Sequence, residues 1–355
     1  MEKAVAFEGN ALMAQVIRLN AAIIGLGVGE RHISGYEADP RCQVTALCDI
    51  DENKLHEVSQ RNPGRRLSTK PNEILEDPTI DVVSIASYDD AHRDQVLKAI
   101  ENGKHIFVEK PLCLNQQEFE DITSALKAHE NIRLSSNLIL RRTPRFIELR
   151  KRITQGELGD IYYLEGDYDY GRLHKLTEGW RGKIPFYSVV YGGAIHLIDL
   201  MLWLTQSRVQ EVFALGSRRV TKGTAFRHYD LVSALLKFES GNSCDDGVMA
   251  KITANFGCVV PHHHKLSVYG TEGTFNQGHS DAAYFHSREP STDVEKVSDP
   301  YPGASKGDML PSFVKSLLDG TPAEISKKEV LDSMSVGLAI EKSLKTKKLE
   351  RVNYA

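Results

Sequence analysis

An α/β fold in two unlike halves is predicted for this 355-residue chain. Three observations carry the prediction. Between residues 17 and 137, short apolar runs alternate with amphipathic stretches, the pattern of βαβ units around a parallel sheet. Beyond residue 137 the apolar runs follow one another with few helices between them, as in an α+β domain with a large, mostly antiparallel open sheet. At about 100–200 residues per domain, the length holds two domains or three. The expected division is an N-terminal extension over 1–16, a first domain over 17–137 and a second over 138–355.

In the first half, strands are expected at Val16–Ile24, Val44–Cys48, Val82–Ala86, His105–Val108 and Ile132–Ser135. Helices are expected at Asp51–Ser59, Ala91–Asn102 and Asn115–His129, with Asp51 and Asn115 as N-caps. Gly103 stands where a helix ends in a left-handed turn. In the second half, Pro144–Gln155 reads as a helix and Ile161–Tyr170 as a long strand. Gly193–Leu204 reads as an apolar helix. Strands follow at Val209–Leu215, Leu231–Phe238, Val248–Phe256, Lys265–Tyr269 and Thr274–Asn276. Helices at about Asp308–Leu318 and Lys327–Lys345 close the chain. Pro290–Ser305, rich in Pro, Ser and Asp, reads as a surface loop.

Composition removes several classes of function. The formal charge is −4, without the basic excess of a general nucleic-acid binder. No apolar run approaches the roughly 20 residues that span a bilayer. The first residues lack the basic start and apolar centre of a secretion signal. Five cysteines, Cys42, Cys48, Cys113, Cys244 and Cys258, are scattered and odd in number. They read as reduced thiols of a cytoplasmic protein rather than a disulfide framework or zinc site.

The first strand runs into Gly25-Leu26-Gly27-Val28-Gly29-Glu30. Glycines at this spacing permit a tight turn and let the backbone approach a pyrophosphate at a helix N-terminus. Glu30 stands where a third Gly or Ala is usual, although Gly29 is adjacent. Asp49 ends the second strand, where a carboxylate accepts the ribose hydroxyls of an adenosine and repels a 2′-phosphate. This arrangement points to a Rossmann domain that binds NAD in preference to NADP.

The segments Val83–His92 and Ala99–Pro111, the latter ending in Glu109-Lys110-Pro111, resemble the Gfo/Idh/MocA oxidoreductases, the sugar- and inositol-oxidising relatives of glucose–fructose oxidoreductase and inositol dehydrogenase. Gly192-Gly193-Ala194-Ile195-His196-Leu197-Ile198-Asp199 and the Gly270–Gly273 turn add to the resemblance. It implies hydride transfer between a nicotinamide and a secondary alcohol of a sugar, inositol or sugar derivative, and a homodimer or homotetramer built through the second-domain sheet. It places Lys110 beside the nicotinamide as the proton-handling group; a cis bond at Pro111, were it present, would aim Lys110 into the cleft. It makes His196 the catalytic histidine, with Asp199 one helical turn on as substrate-side and orienting partner. Many members carry Asp four residues before the histidine; this chain has Gly192, so Lys110 and His196 must act with other help, from Tyr170, Tyr187 or Tyr191. Gly25, Gly27, Gly29 and Glu30 at the turn and Ser87, Tyr88, His92, Glu109 and Asn137 beyond it are expected along the cofactor, and Trp180 and Arg181 beside the substrate.

A base near the hydroxyl is required because a hydride leaves carbon only as the hydroxyl loses its proton. Lys110 at the end of a parallel strand is in the crevice where α/β ligands bind. His262-His263-His264 lacks the converging partners of a zinc site, so no metal is expected. In a strand, His262 and His264 share one face, either lining the substrate cavity or lying on the sheet surface. Basic residues from Arg141 to Lys183 leave an anionic or nucleotide-linked substrate open. The competing class is a non-catalytic NAD(P)-binding sensor, against which the joint presence of Asp49, Lys110 and His196 speaks.

Overall fold

The structure, a computed structural model, describes residues 18–240, 247–290 and 294–355. The expected extension over 1–16, the first residues of the expected first strand and Cys244 lie outside them. Six parallel strands form the first sheet: β1 (Leu19–Ile24), β2 (Cys42–Cys48), β3 (Arg66–Ser68), β4 (Val82–Ile85), β5 (His105–Val108) and β6 (Leu134–Ser136), in the order β3-β2-β1-β4-β5-β6. The central strands are buried on both faces, which is why they read as unbroken apolar runs. Strand order reverses beside β1, so a crevice opens between the carboxyl ends of β1 and β4.

The helices of this half are α1 (Leu26–Gly29), α2 (His32–Tyr36), α3 (Glu52–Arg61), α4 (Pro71–Leu75), α5 (His92–Glu101) and α6 (Gln116–Ala128). Asp51 caps α3 by accepting the N–H groups of Asn53 and Lys54, and Asn115 caps α6 through Glu118 N. Gly103 takes a left-handed φ of 71° after α5. Neither β3, whose first two residues are exposed, nor α4, too short for periodicity, carries a pattern that predicts it.

The second half contains α7 (Pro144–Thr154), α8 (His174–Thr177), α9 (Ile195–Thr205), α10 (Leu310–Asp319) and α11 (Lys327–Thr346). Among its described residues the strands are β7 (Ile161–Asp169), β8 (Val209–Ser217), β9 (Leu231–Phe238), β10 (Met249–Asn255), β11 (His263–Gly270), β12 (Thr274–Gln277), β13 (Ala282–Phe285), β14 (Glu295–Lys296) and β15 (Glu350–Arg351). They lie in the order β14-β13-β12-β11-β7-β10-β9-β8-β15, antiparallel except where β10 runs parallel to β7. The α9 helix lies against one face of the sheet, with Leu197 and Met201 closing on Gly166 of β7. Leu215, Leu235 and Met249 stay exposed while their strand neighbours alternate inward. The stretch expected as a surface loop is partly built into the fold. Glu295 and Lys296 pair with β13, and Tyr301 packs beside His264, its hydroxyl 2.5 Å from Nδ1.

Candidate active site

A cavity of about 380 Å³ opens at the carboxyl ends of β1 and β4. Its floor is the turn from β1 into α1. Gly25 sits at φ 87°, and a Cβ there would lie 2.3 Å from the Ala86 carbonyl oxygen, so only glycine lets the turn pass this close to β4. Gly27 has open space where a side chain would project, leaving backbone facing the cavity. Gly29 packs instead on Ile23, 2.7 Å from where its Cβ would stand, which lets the helix settle onto the strand. Asp49 lines the cavity, fixed by two backbone donors: Leu26 N–H to Oδ2 at 2.7 Å and Asp51 N–H to Oδ1 at 3.0 Å. Lys54, which the sequence reading passed over, lines the same end between Glu30 and Glu57.

Two expected cofactor contacts are corrected. The Glu30 carboxylate turns away to form a two-pronged pair with Arg61, at 2.8 and 3.0 Å, and is not part of the cavity wall. His92 is fully buried behind the loop, bonding the Pro111 carbonyl at 2.6 Å and the Ser87 carbonyl at 3.2 Å. It braces the loop; the loop itself, through Ser87 and Tyr88, faces the cavity. Tyr88 stacks on Trp180 with centroids 4.9 Å apart, so the second half of the chain roofs the cavity with Trp180, Arg181 and Lys306.

At the inner end, Lys110 extends from the residue after Glu109, and the Lys110–Pro111 bond is cis. Its Nζ donates to the Gly192 carbonyl at 2.9 Å. Burial, together with the cations of Arg181 and Lys306, pushes the Lys110 amine below its usual range against the pull of Asp89 and Glu109. Burial would raise the Glu109 carboxyl, but His32, 3.3 Å away, and the charges of Lys306 and Lys110 hold it below the usual range. Asn137 donates to Glu109 at 2.8 Å and to the Lys306 carbonyl at 3.1 Å, and its own Oδ1 is buried without a partner.

His196 stands one residue into α9, which a π-helical turn over Val190–Ala194 precedes. The imidazole is buried beside Tyr168 and His264, and its Nδ1 has no partner. Burial, reinforced by Lys110, holds it neutral, well below the ordinary histidine range. His262 adds a second unpartnered ring nitrogen, with burial and Arg172 pushing it down to about 4. Asp199 is corrected outright: it does not orient His196. It is fully buried on the opposite flank, held bidentate by Arg141 at 2.6 and 2.9 Å and joined by Ser333. One helical turn separates the two residues, yet the helix sends them to different neighbours.

The sequence reading missed Asp89, a buried carboxylate on the cavity wall, and Lys306, which arrives from nearly 200 residues beyond Lys110. Nothing local marks Lys306. Asp89 follows the β4 loop, where a carboxylate between Tyr88 and His92 was available to notice. Among the described residues no cluster of three or more metal-ligating side chains occurs, and no helix is long and apolar enough to cross a membrane.

Comparison with known proteins bears on this geometry. Residues 19–137 match the model of the oxidoreductase family with an NAD-binding Rossmann fold, and residues 146–276 match the GFO/IDH/MocA C-terminal domain. A myo-inositol 2-dehydrogenase of Thermotoga maritima is 25% identical over 94% of this chain and 99% of its own. A scyllo-inositol 2-dehydrogenase (NAD(+)) of Bacillus subtilis is 28% identical over 72% of this chain and 73% of its own. In fold, the chain is similar to a levoglucosan dehydrogenase in complex with NADH, at a TM-score of 0.80 and 21% identity, covering 95% of this chain and 100% of that one.

Proposed function

The chain belongs to the Gfo/Idh/MocA oxidoreductase family, and from that premise we propose that it is an NAD-dependent dehydrogenase acting on a secondary alcohol of a sugar, inositol or sugar derivative. The observation that carries the reading is the placement of Lys110 at the inner end of a cavity whose outer end holds the Gly25 turn and Asp49, with a neutral His196 buried outside the cavity lining but within electrostatic reach of Lys110. Relatives named as inositol dehydrogenases support the substrate class. The first domain is taken as residues 17–137 and the second as 138–355.

The cavity fits a dinucleotide. The Gly25 and Gly27 backbone leaves room for phosphates at the start of α1, and Asp49 offers carboxylate oxygens to ribose hydroxyls. That carboxylate favours NAD over NADP. Bound there, NAD supplies the hydride acceptor. The chain supplies the proton chemistry. The Lys110 amine, its pKa lowered by burial, gives an N–H to the Gly192 carbonyl, and in its deprotonated form would offer its lone pair to the hydroxyl proton. His196, uncharged and with a free Nδ1, holds the same hydroxyl or its neighbour. His262 packs on Tyr168 and His264, the same two rings that flank His196, and would extend that polar wall toward substrate. Trp180, over Tyr88, and Arg181 exclude water from the cavity roof.

Assembly through the outer face of the second sheet is part of the reading. Leu215, Leu235 and Met249 present apolar surface there, and a homodimer or homotetramer would cover it. So is a cytoplasmic location: all four described cysteines are free thiols.

The test is reduced-nicotinamide absorbance with NAD and a panel of inositols, aldoses and levoglucosan. Turnover of at least one is expected, and Lys110→Ala should lower it by about 10²–10⁴-fold while NAD still binds. Tight NAD binding with no turnover of any polyol would overturn the reading and favour the sensor.

A further inference from the structure

Position 192 has no room for a side chain unless the Tyr187 hydroxyl moves. An ideal Cβ on Gly192 would stand 2.0 Å from the Tyr187 hydroxyl and 2.8 Å from its ring carbon Cζ. The carbonyl of the same Gly192 receives Lys110. The Tyr187 hydroxyl is therefore wedged against the peptide that holds the base. It also has a second engagement: Arg181 Nε donates to it at 3.1 Å. Arg181 stacks on Trp180 at 4.7 Å, lines the cavity with Lys110, and has no carboxylate within ion-pair distance among the described residues. Tyr187 is fixed by its own packing, edge-on to Trp180, Phe226 and Phe256.

We propose that Tyr187 is a positioning residue of the reaction: its hydroxyl fills the space beside Gly192 and holds the Arg181 guanidinium next to Lys110, so that a cation offsets the carboxylates of Asp89 and Glu109 beside the base. The inference rests on the dehydrogenase reading and deepens it. The charged groups facing Lys110 are Asp89 and Glu109 from the first half, and Arg181 and Lys306 from the second. Of these, Arg181 is the one a single neutral hydroxyl holds. A guanidinium kept close disfavours the ammonium form of Lys110 and so favours the amine form that can take a proton.

Tyr187→Phe tests this with the ring packing retained. The ionisation of Lys110 is read directly, by pH-dependent acetylation with acetic anhydride and peptide mass spectrometry of the NAD-saturated protein. In Tyr187→Phe the Lys110 midpoint should rise by about half a pH unit or more as Arg181 relaxes away. Gly192→Ala, which drives the hydroxyl aside by contact, should move it in the same direction. Arg181→Gln should raise it as well, and Tyr187→Phe combined with Arg181→Gln should raise it no further than Arg181→Gln alone. The acid limb of kcat/KM on the best polyol should shift upward by the same amount, with kcat falling more than KM rises. An unmoved Lys110 midpoint in Tyr187→Phe, or a shift that simply adds to that of Arg181→Gln, overturns the proposal. The labelling readout needs no turnover, so a protein that fails the polyol panel still returns a result on Tyr187.

Discussion

Asp199→Asn separates two roles that the sequence could not tell apart. If Asp199 tuned His196, the variant would lose activity and keep its stability. The structure demands the reverse. The carboxylate is fully buried and binds Arg141 at 2.6 and 2.9 Å, while among the described residues Arg141 keeps Glu329 at 2.6 Å and the Glu324 carbonyl at 3.2 Å as other hydrogen-bond partners and the Trp203 ring at 5.8 Å. An amide removes the charge and turns an NH₂ group toward the guanidinium. Breaking a buried pair in this way costs about 3–5 kcal/mol, and the surviving Glu329 contact argues for the lower end. For a unit of this size about 1 kcal/mol is worth about 2–4 °C, so melting should fall by about 6–12 °C. The assay is a thermal melt followed by near-ultraviolet circular dichroism, with kcat measured well below the transition. There, kcat should stay within about twofold of the parent, since one kcal/mol at the barrier would already cost about fivefold. An unchanged melt with a tenfold loss of kcat would refute the reasoning and return Asp199 to the histidine.

The other expectations are briefer. Asp49→Ala should weaken NAD and narrow its advantage over NADP, measured by titrating both reduced cofactors by fluorescence; equal affinity of the parent for the two would remove the assignment. Gly25→Ala should abolish NAD binding or folding, because a Cβ at φ 87° meets the Ala86 carbonyl at 2.3 Å; a variant with normal NAD affinity would show that the turn tolerates what its geometry forbids. Burial holds His196 and His264 well below the usual histidine range and takes His262 to about 4. Their folded pKa values lie below an unfolded value of about 6.5, so the unfolded chain binds more protons between these limits and stability is lost as pH falls through that window. Urea midpoints at pH 7 and pH 5 should therefore differ, and His264→Gln should lessen the difference; an identical pH dependence in the variant would contradict the burial argument.

Much of this protein is written locally. The alternation of apolar runs with amphipathic stretches determines the first sheet, because strands buried on both faces must be apolar throughout and the helices covering them need only one apolar face. The Gly25 turn, the caps at Asp51 and Asn115 and the end of α5 at Gly103 are legible because each depends on the stereochemistry of one or two residues. Lys110, Asp49 and His196 were likewise visible, since motif position alone puts them at strand and helix ends. What the sequence could not determine is where a side chain points once its element is packed. Glu30 stands next to the glycine turn yet turns to Arg61, and His92 follows the cofactor loop yet braces it from behind. Asp199 lies a turn from His196 and belongs to Arg141, which arrives from 58 residues earlier. Lys306 joins Lys110 only because the two halves close on one cavity, and the Tyr187 hydroxyl takes the space of a side chain at Gly192 through the local packing of the turn before α9. Those pairings are decided by through-space distance, and no local pattern records which distant group a buried charge will find.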